Sequence, residues 1–165
     1  MENSMGFPNL NVDEESASVP LGTEREYMHA TYGLLKLRYG KYDADAVAAG
    51  AAGTVVYHHG NKKEEVTDDV TESQSGEVNS VAGVLICTRT KGYYGWYLFD
   101  GNWPDVKKAA GNDSWVYGDI AIGGGDGTCV HVDKGTAPTN KILGVLTSSI
   151  SDDPNDTVDL YVHCY

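Results

Sequence analysis

Val158, Leu160 and Val162 alternate with Asp159, Tyr161 and His163, the two-residue period of a strand that buries one face. Trp115–Ile122 and Lys141–Thr147 are two further apolar runs, and Cys129, Val130 and Val132 form a shorter fourth. Gly, Asp, Asn, Pro, Ser and Thr fill the intervals between them. Polar breaks at this spacing predict a compact antiparallel β module. No helix-length apolar period occurs in residues 115–165.

An upstream stretch answers this one. Gly53-Thr54-Val55-Val56-Tyr57 is similar to Gly118-Asp119-Ile120-Ala121-Ile122, a glycine and a polar residue leading into a strand. Val81-Ala82-Gly83-Val84-Leu85 is similar to Ile142-Leu143-Gly144-Val145-Leu146, 61 positions later. Each of these glycine-valine-leucine runs is followed by another apolar strand, Tyr94–Phe99 and Val158–Cys164. The pattern predicts two similar half-barrels or two matching sheets. Leu34–Tyr39 is the expected first strand, and the unbroken apolar run Val81–Thr88 a central strand buried on both faces. Asp43–Gly50 reads either as two helical turns ended by glycine or as a loop. Asn61–Ser80, anchored by Val66 and Val70, is expected to form a long hairpin or exposed loop, and Asp105–Ala110 a single helical turn. The predicted fold class is all-β: an antiparallel barrel or sandwich over residues 27–165, preceded by an extended N-terminal arm, residues 1–26.

That arm is polar, with Phe7, Leu10, Val12, Val19 and Leu21 as scattered apolar residues. Alone it buries too little to offset its ordering entropy. It therefore either docks on a neighbouring subunit, the reading favoured here, or packs on its own domain.

Composition narrows the function classes. The chain of 165 residues fits one domain with a real core. Its 24 carboxylates against 12 bases give a net charge of −12, which argues against direct nucleic-acid binding, since that needs a basic footprint. No apolar run reaches the length of a membrane-spanning helix, and the first residues lack a secretory signal pattern; the chain is read as made in the cytoplasm or as one whose signal has been removed, with the initiator methionine favouring the first. The three cysteines Cys87, Cys129 and Cys164 show no metal-finger spacing; buried thiols are expected, with a Cys129–Cys164 bridge as the alternative.

Candidate chemistry is sparse. Gly123-Gly124-Gly125-Asp126-Gly127 lacks the lysine and helix of a phosphate cradle and reads as a hairpin turn. Asp152–Asp156 offers oxygen ligands without the spacing of a calcium loop, and a tight turn needs no ion. His58 and His59 point to opposite faces of a strand. His131 and His163, near Cys129 and Cys164, would make a zinc site only in one particular strand register. No nucleophile elbow or zinc-protease motif occurs. No catalytic residue, cofactor or metal ligand is assigned.

The order of these elements carries a resemblance. A strand opening on Gly118-Asp119-Ile120, a loop with a short strand, the run Ile142–Leu146, a polar turn and the alternating strand Val158–Val162 resemble the small β-barrel capsid decoration (cement) proteins of tailed bacteriophages. Leu34–Tyr39, the Ala/Gly-rich segment after it and Gly53–Tyr57 are similar to the front of such virion proteins. The resemblance implies a non-enzymatic structural role on the outer face of an icosahedral capsid. The major capsid protein would be the partner, with a homotrimer at local threefold positions, no nucleic acid and no membrane. On that reading Phe7, Leu10, Val12, Val19 and Leu21 anchor the arm, and Tyr93, Tyr94, Trp96 and Trp103 serve the trimer contact. The rival class is a carbohydrate-binding or adhesin-type β module that stacks sugars on Trp96, Trp103 and Trp115.

Overall fold

The computed structural model describes residues 11–43, 45–46, 49–60, 62, 64–72, 80–110, 114–138, 140–148, 150–151 and 156–164. The strands are β1 (Glu24–His29), β2 (Gly33–Tyr42), β3 (Val55–His58), β4 (Glu65–Thr67), β5 (Val81–Leu85), β6 (Tyr94–Lys107), β7 (Ser114–Trp115), β8 (Ile120–Gly125), β9 (Thr128–Val132), β10 (Ile142–Leu146), β11 (Ile150–Ser151) and β12 (Thr157–His163), with one 3₁₀ turn at Val70–Glu72. Ten strands form one mostly antiparallel sheet, and β7 and β11 pair separately.

The pairings return on themselves twice. β2 pairs with β4 in parallel, β4 with β3, β3 with β5, β5 with β6, and β6 with β2. Beyond the centre of β6 the same circuit recurs. Lys108, just past β6, bridges Cys129 of β9 in parallel, and β9–β8, β8–β10, β10–β12 and β12–β6 complete it. The long strand β6 therefore belongs to both ring-like units, its first half in one and its second half in the other.

Backbone bonds fix the equivalence residue by residue. Gly53 N–H donates to Leu85 O (2.8 Å) and Leu85 N–H to Thr54 O (2.9 Å); Gly118 N–H donates to Leu146 O (3.1 Å) and Leu146 N–H to Asp119 O (2.9 Å). Both glycines take left-handed φ angles, +83° and +89°. Gly83 and Gly144 also correspond. A Cβ on Gly83 would stand 2.0 Å from Leu98 O, and one on Gly144 2.3 Å from Tyr161 O. In each unit a neighbouring backbone crosses where only hydrogen fits. The two similar sequence stretches thus carry the same pair of backbone bonds in the two ring-like circuits.

Burial explains the strand composition. Val55 and Tyr57 join one core cluster while Val56 joins another; Val81 and Val84 face the first, Ala82 and Leu85 the second. β3 and β5 are covered on both faces, which is why Val81–Leu85 carries no polar residue. β12 alternates instead, with Val158, Leu160 and Val162 buried and Asp159, Tyr161 and His163 exposed. Each fully buried Val or Leu contributes about 1.5–3 kcal/mol.

Several expectations are corrected. The first strand is β1, which pairs with β2 over its full length from Glu24↔Arg38 to His29↔Gly33, so residues 24–26 belong to the sheet rather than to an arm. Asp105–Lys107 are strand, because β6 continues to pair with β12 and Lys107 N–H donates to Gly53 O (2.9 Å). Trp115–Ile122 is not one strand: the turn at residues 116–119 divides it, capped by Asp119, whose carboxylate accepts the Val116 N–H (2.8 Å). The apolar run after Ser80 stops pairing at Leu85. Described residues of 43–50 are loop, and in 61–80 β4 and the 3₁₀ turn are formed, with Val66 buried. The turn Asp126-Gly127 links β8 to β9, as expected for a hairpin. Cys129 and Cys164 are free and buried, their thiols pushed up to about 12 chiefly by burial.

Candidate interaction face

Of the residues expected to anchor the arm, Phe7 and Leu10 lie outside the described residues. Val19 and Leu21 pack on the chain's own core, and the Val12 carbonyl accepts from the buried Arg89 guanidinium. Asp13 accepts from Thr90 N–H (3.0 Å) and Thr90 Oγ1 (2.6 Å), and Glu14 and Tyr94 exchange both main-chain bonds. The described part of the segment therefore lies on its own sheet, the alternative placement. Among the aromatic residues, Trp96 is buried at 5% exposure against Tyr39, with ring centroids 5.2 Å apart, and Trp115 is buried at 1%. Neither offers a face to a partner. Tyr93 and Tyr94 are half-buried, Tyr94 against the core.

Val116 and Tyr117 are exposed in the turn before β8, and other exposed apolar residues come from alternate strand positions that the fold lines up. Met28 of β1 stands opposite Leu34 of β2. The Leu34 carbonyl lies 2.8 Å from the Cβ position of Gly101 in β6. The next β6 residue, Asn102, stands opposite Tyr161 of β12, Tyr161 opposite Val145 of β10, and Val145 opposite Ile120 of β8. Met28 (65%), Leu34 (45%), Tyr161 (41%) and Val145 (40%) are among the most exposed large apolar side chains. At the spacing of paired strands, the row across these six strands is about 24 Å long.

A charged row runs beside it. Glu26 stands opposite Lys36 in the strand register, Lys36 Nζ lies 3.9 Å from Asp100 Oδ2, and His163 Nδ1 lies 3.1 Å from the same oxygen. Tyr161 Oη donates to Asp100 Oδ1 (3.1 Å), tying the two rows together. Arg38 and Glu24 form a further pair at 2.6 Å. An apolar stripe bordered by paired charges has the anatomy of a protein–protein contact: a core that excludes water and a polar rim that sets register.

On the other side of the row a cleft of about 180 Å³ opens between Tyr32, Asn102, Trp103, Thr31, Thr147 and Asp159. The Tyr32 and Trp103 rings meet at 5.3 Å with 60° between their planes. Of the three tryptophans, Trp103 is the one that reaches such a surface.

Two further clusters were not read from the sequence. Asp119, His131 and Asp133 bring one ligating atom each within 4.8 Å of one another, the arrangement among the described residues that could hold a cation. Both Asp119 oxygens already accept main-chain N–H groups, from Val116 and Lys134, so its placement is accounted for by the turn. His131 and His163 are not brought together with the two cysteines: His131 lies beside Asp133, and His163 pairs with Asp100. Elsewhere, the buried Asp43 carboxylate meets Lys62 Nζ at 2.7 Å and His59 Nε2 at 3.5 Å. Burial opposes its charge, yet the Lys62 ammonium, the Asp45 N–H and His59 hold it below the ordinary carboxylate range. This is a structural lock on the loop after β2. His58, on the opposite strand face from His59, has its pKa pushed down to about 4 by burial and by the Lys141 and Arg38 charges. In the acidic turn, residues 152–155 lie outside the described residues.

Comparisons with protein-family models, with curated proteins and with solved structures yield no match to this chain.

Proposed function

We propose that this chain is a structural binding protein that docks the apolar row Met28–Leu34–Tyr161–Val145 on another protein and carries out no reaction. In keeping with the resemblance described above, the partner is the major capsid protein of a tailed phage. The chain acts as a decoration protein on the capsid exterior, as a homotrimer. The two ring-like units are read as small barrels sharing β6, a stiff frame that holds six strands' outward residues in one line. The observation that carries the proposal is that line: Met28, Leu34, Tyr161 and Val145 expose large apolar side chains on four of its strands, with the polar Asn102 of β6 between Leu34 and Tyr161 and charges alongside. Repetition over a capsid surface multiplies a weak contact of this size.

The test is sedimentation of the purified chain with tailed-phage capsids stripped of their surface proteins, alongside a solution mass measurement. Saturable pelleting at a fixed ratio to the capsid subunit, and a mass three times that of the chain, support the reading. A chain that stays in the supernatant at every ratio refutes it.

A further inference from the structure

We propose that the cleft between Tyr32 and Trp103 is a subsite for one pyranose ring of a neutral glycan. The aromatic corner is built before any ligand arrives. His29 stacks on Tyr32 at 4.4 Å and 16°, and His29 Nδ1 accepts the N–H groups of Thr31 (3.1 Å) and Tyr32 (3.3 Å). The turn between β1 and β2 is thereby locked, and the Tyr32 ring is backed on one side while Trp103 closes the angle on the other. Rings so placed offer apolar faces to the C–H side of a sugar.

The polar lining matches the other side of such a ring. Asn102 and Thr31 supply both donors and acceptors, Thr147 Oγ1, which donates its own proton to Asp159 O (3.1 Å), supplies an acceptor, and Asp159 supplies a carboxylate. The Asp159 side chain is engaged only loosely, by Asp105 N–H and Ser148 Oγ, each at 3.4 Å. Among the described residues no lysine or arginine lines the cleft, so sugar hydroxyls can fill the carboxylate's remaining acceptor capacity and an anionic sugar is repelled. A guanidinium from a protein partner would satisfy Asp159 and stack on Trp103. Being donor-only, it would leave the donor groups of Asn102 and Thr31 unused. Hydroxyls, which donate and accept, use the whole set. The volume of about 180 Å³ is below the range of drug-sized sites, which suits one ring rather than a chain of them.

The site is independent of the capsid reading and is tested separately. The full chain is titrated with the methyl glycosides of glucose, galactose, mannose and N-acetylglucosamine, and in parallel with acetylarginine methylamide. Tryptophan emission and saturation-transfer NMR provide the readouts. A neutral glycoside should bind saturably, with a dissociation constant on the order of millimolar for so small a contact. The emission change should come from Trp103, since Trp96 and Trp115 are buried. Asp159→Asn, at an exposed position of β12, should weaken binding about tenfold or more with the fold unchanged by circular dichroism, and Trp103→Phe should abolish the emission change. Val145→Glu should leave sugar binding intact, so that loss of docking and loss of sugar binding are distinguishable. The proposal is overturned if no glycoside binds up to about 100 mM, if only the arginine amide binds, or if Asp159→Asn binds as well as the wild type.

Discussion

Replacing Arg89 by methionine keeps most of the side chain's bulk and removes its five donors. Arg89 is 1% exposed, and its guanidinium bonds to the Val12 carbonyl, to Tyr94 O (2.8 Å), to Trp96 O (3.4 Å) and to Cys87 Sγ (3.3 Å), with Asp13 Oδ1 at 3.4 Å. It is the pin that holds residues 12–14 to the start of β6. The variant leaves Val12 O without this donor and Asp13 without its cation. Asp13 is partly exposed and keeps its bonds from Thr90, so the cost is that of carbonyl acceptors left unpaired around the Arg89 site, about 1–3 kcal/mol, against the roughly 5–15 kcal/mol that holds a domain folded. Urea denaturation followed by tryptophan emission measures the loss as a lower midpoint at unchanged slope. Hydrogen exchange at the Glu14 amide, which donates to Tyr94 O at 3.0 Å, reports the local effect. A loss below about 1 kcal/mol, with Glu14 still protected, would show that the segment is held by something other than Arg89.

Gly83→Ala and Gly144→Ala should each destabilise by about 3 kcal/mol or more, because the new methyl meets a strand carbonyl at 2.0 or 2.3 Å and neither backbone can withdraw without breaking its ladder; thermal melts check this, and a harmless substitution at either site would break the equivalence of the two units. The His58 ring makes stability sensitive to pH above the carboxylate range. With its folded pKa depressed to about 4, the unfolded chain takes up its proton first. Stability should therefore be full at pH 7 and fall as pH drops from about 6.5 towards 4, by at most about 3 kcal/mol. Denaturation midpoints at three pH values in wild type and His58→Gln test this, and a slope that persists in the variant assigns the effect to other groups.

Much of the fold is legible because single strands advertise their burial. The alternation of β12, the apolar run of β5 and the Gly-Asp-Gly hairpin after β8 follow from local chemistry, and the paired Gly-Val-Leu runs mark corresponding strands of the two circuits. The closure of each circuit is not local: it depends on short parallel contacts, β2 with β4 and Lys108 with Cys129, which leave no pattern in sequence. β1 was obscured because Glu24, Arg25 and Glu26 look like an exposed tail, and as one end of the sheet order β1 tolerates those charges. The outward apolar row was hidden for a related reason. It takes one or two side chains from each of several strands, and Val145 or Tyr161 looks like core until the register shows which way it points. Aromatic content misled in the opposite direction, since Trp96 and Trp115 are among the better buried residues while only Trp103 reaches a cleft.

The claim that the outward apolar row grips another protein is tested most directly by a variant at its two ends, Met28→Glu with Val145→Glu. Both sites are exposed, so each change should alter stability by no more than about 0.5 kcal/mol. Binding isotherms on stripped tailed-phage capsids should show saturable attachment of the wild type and at least a tenfold weaker attachment of the folded variant. Equal attachment of the two proteins, or none by either, would contradict the account.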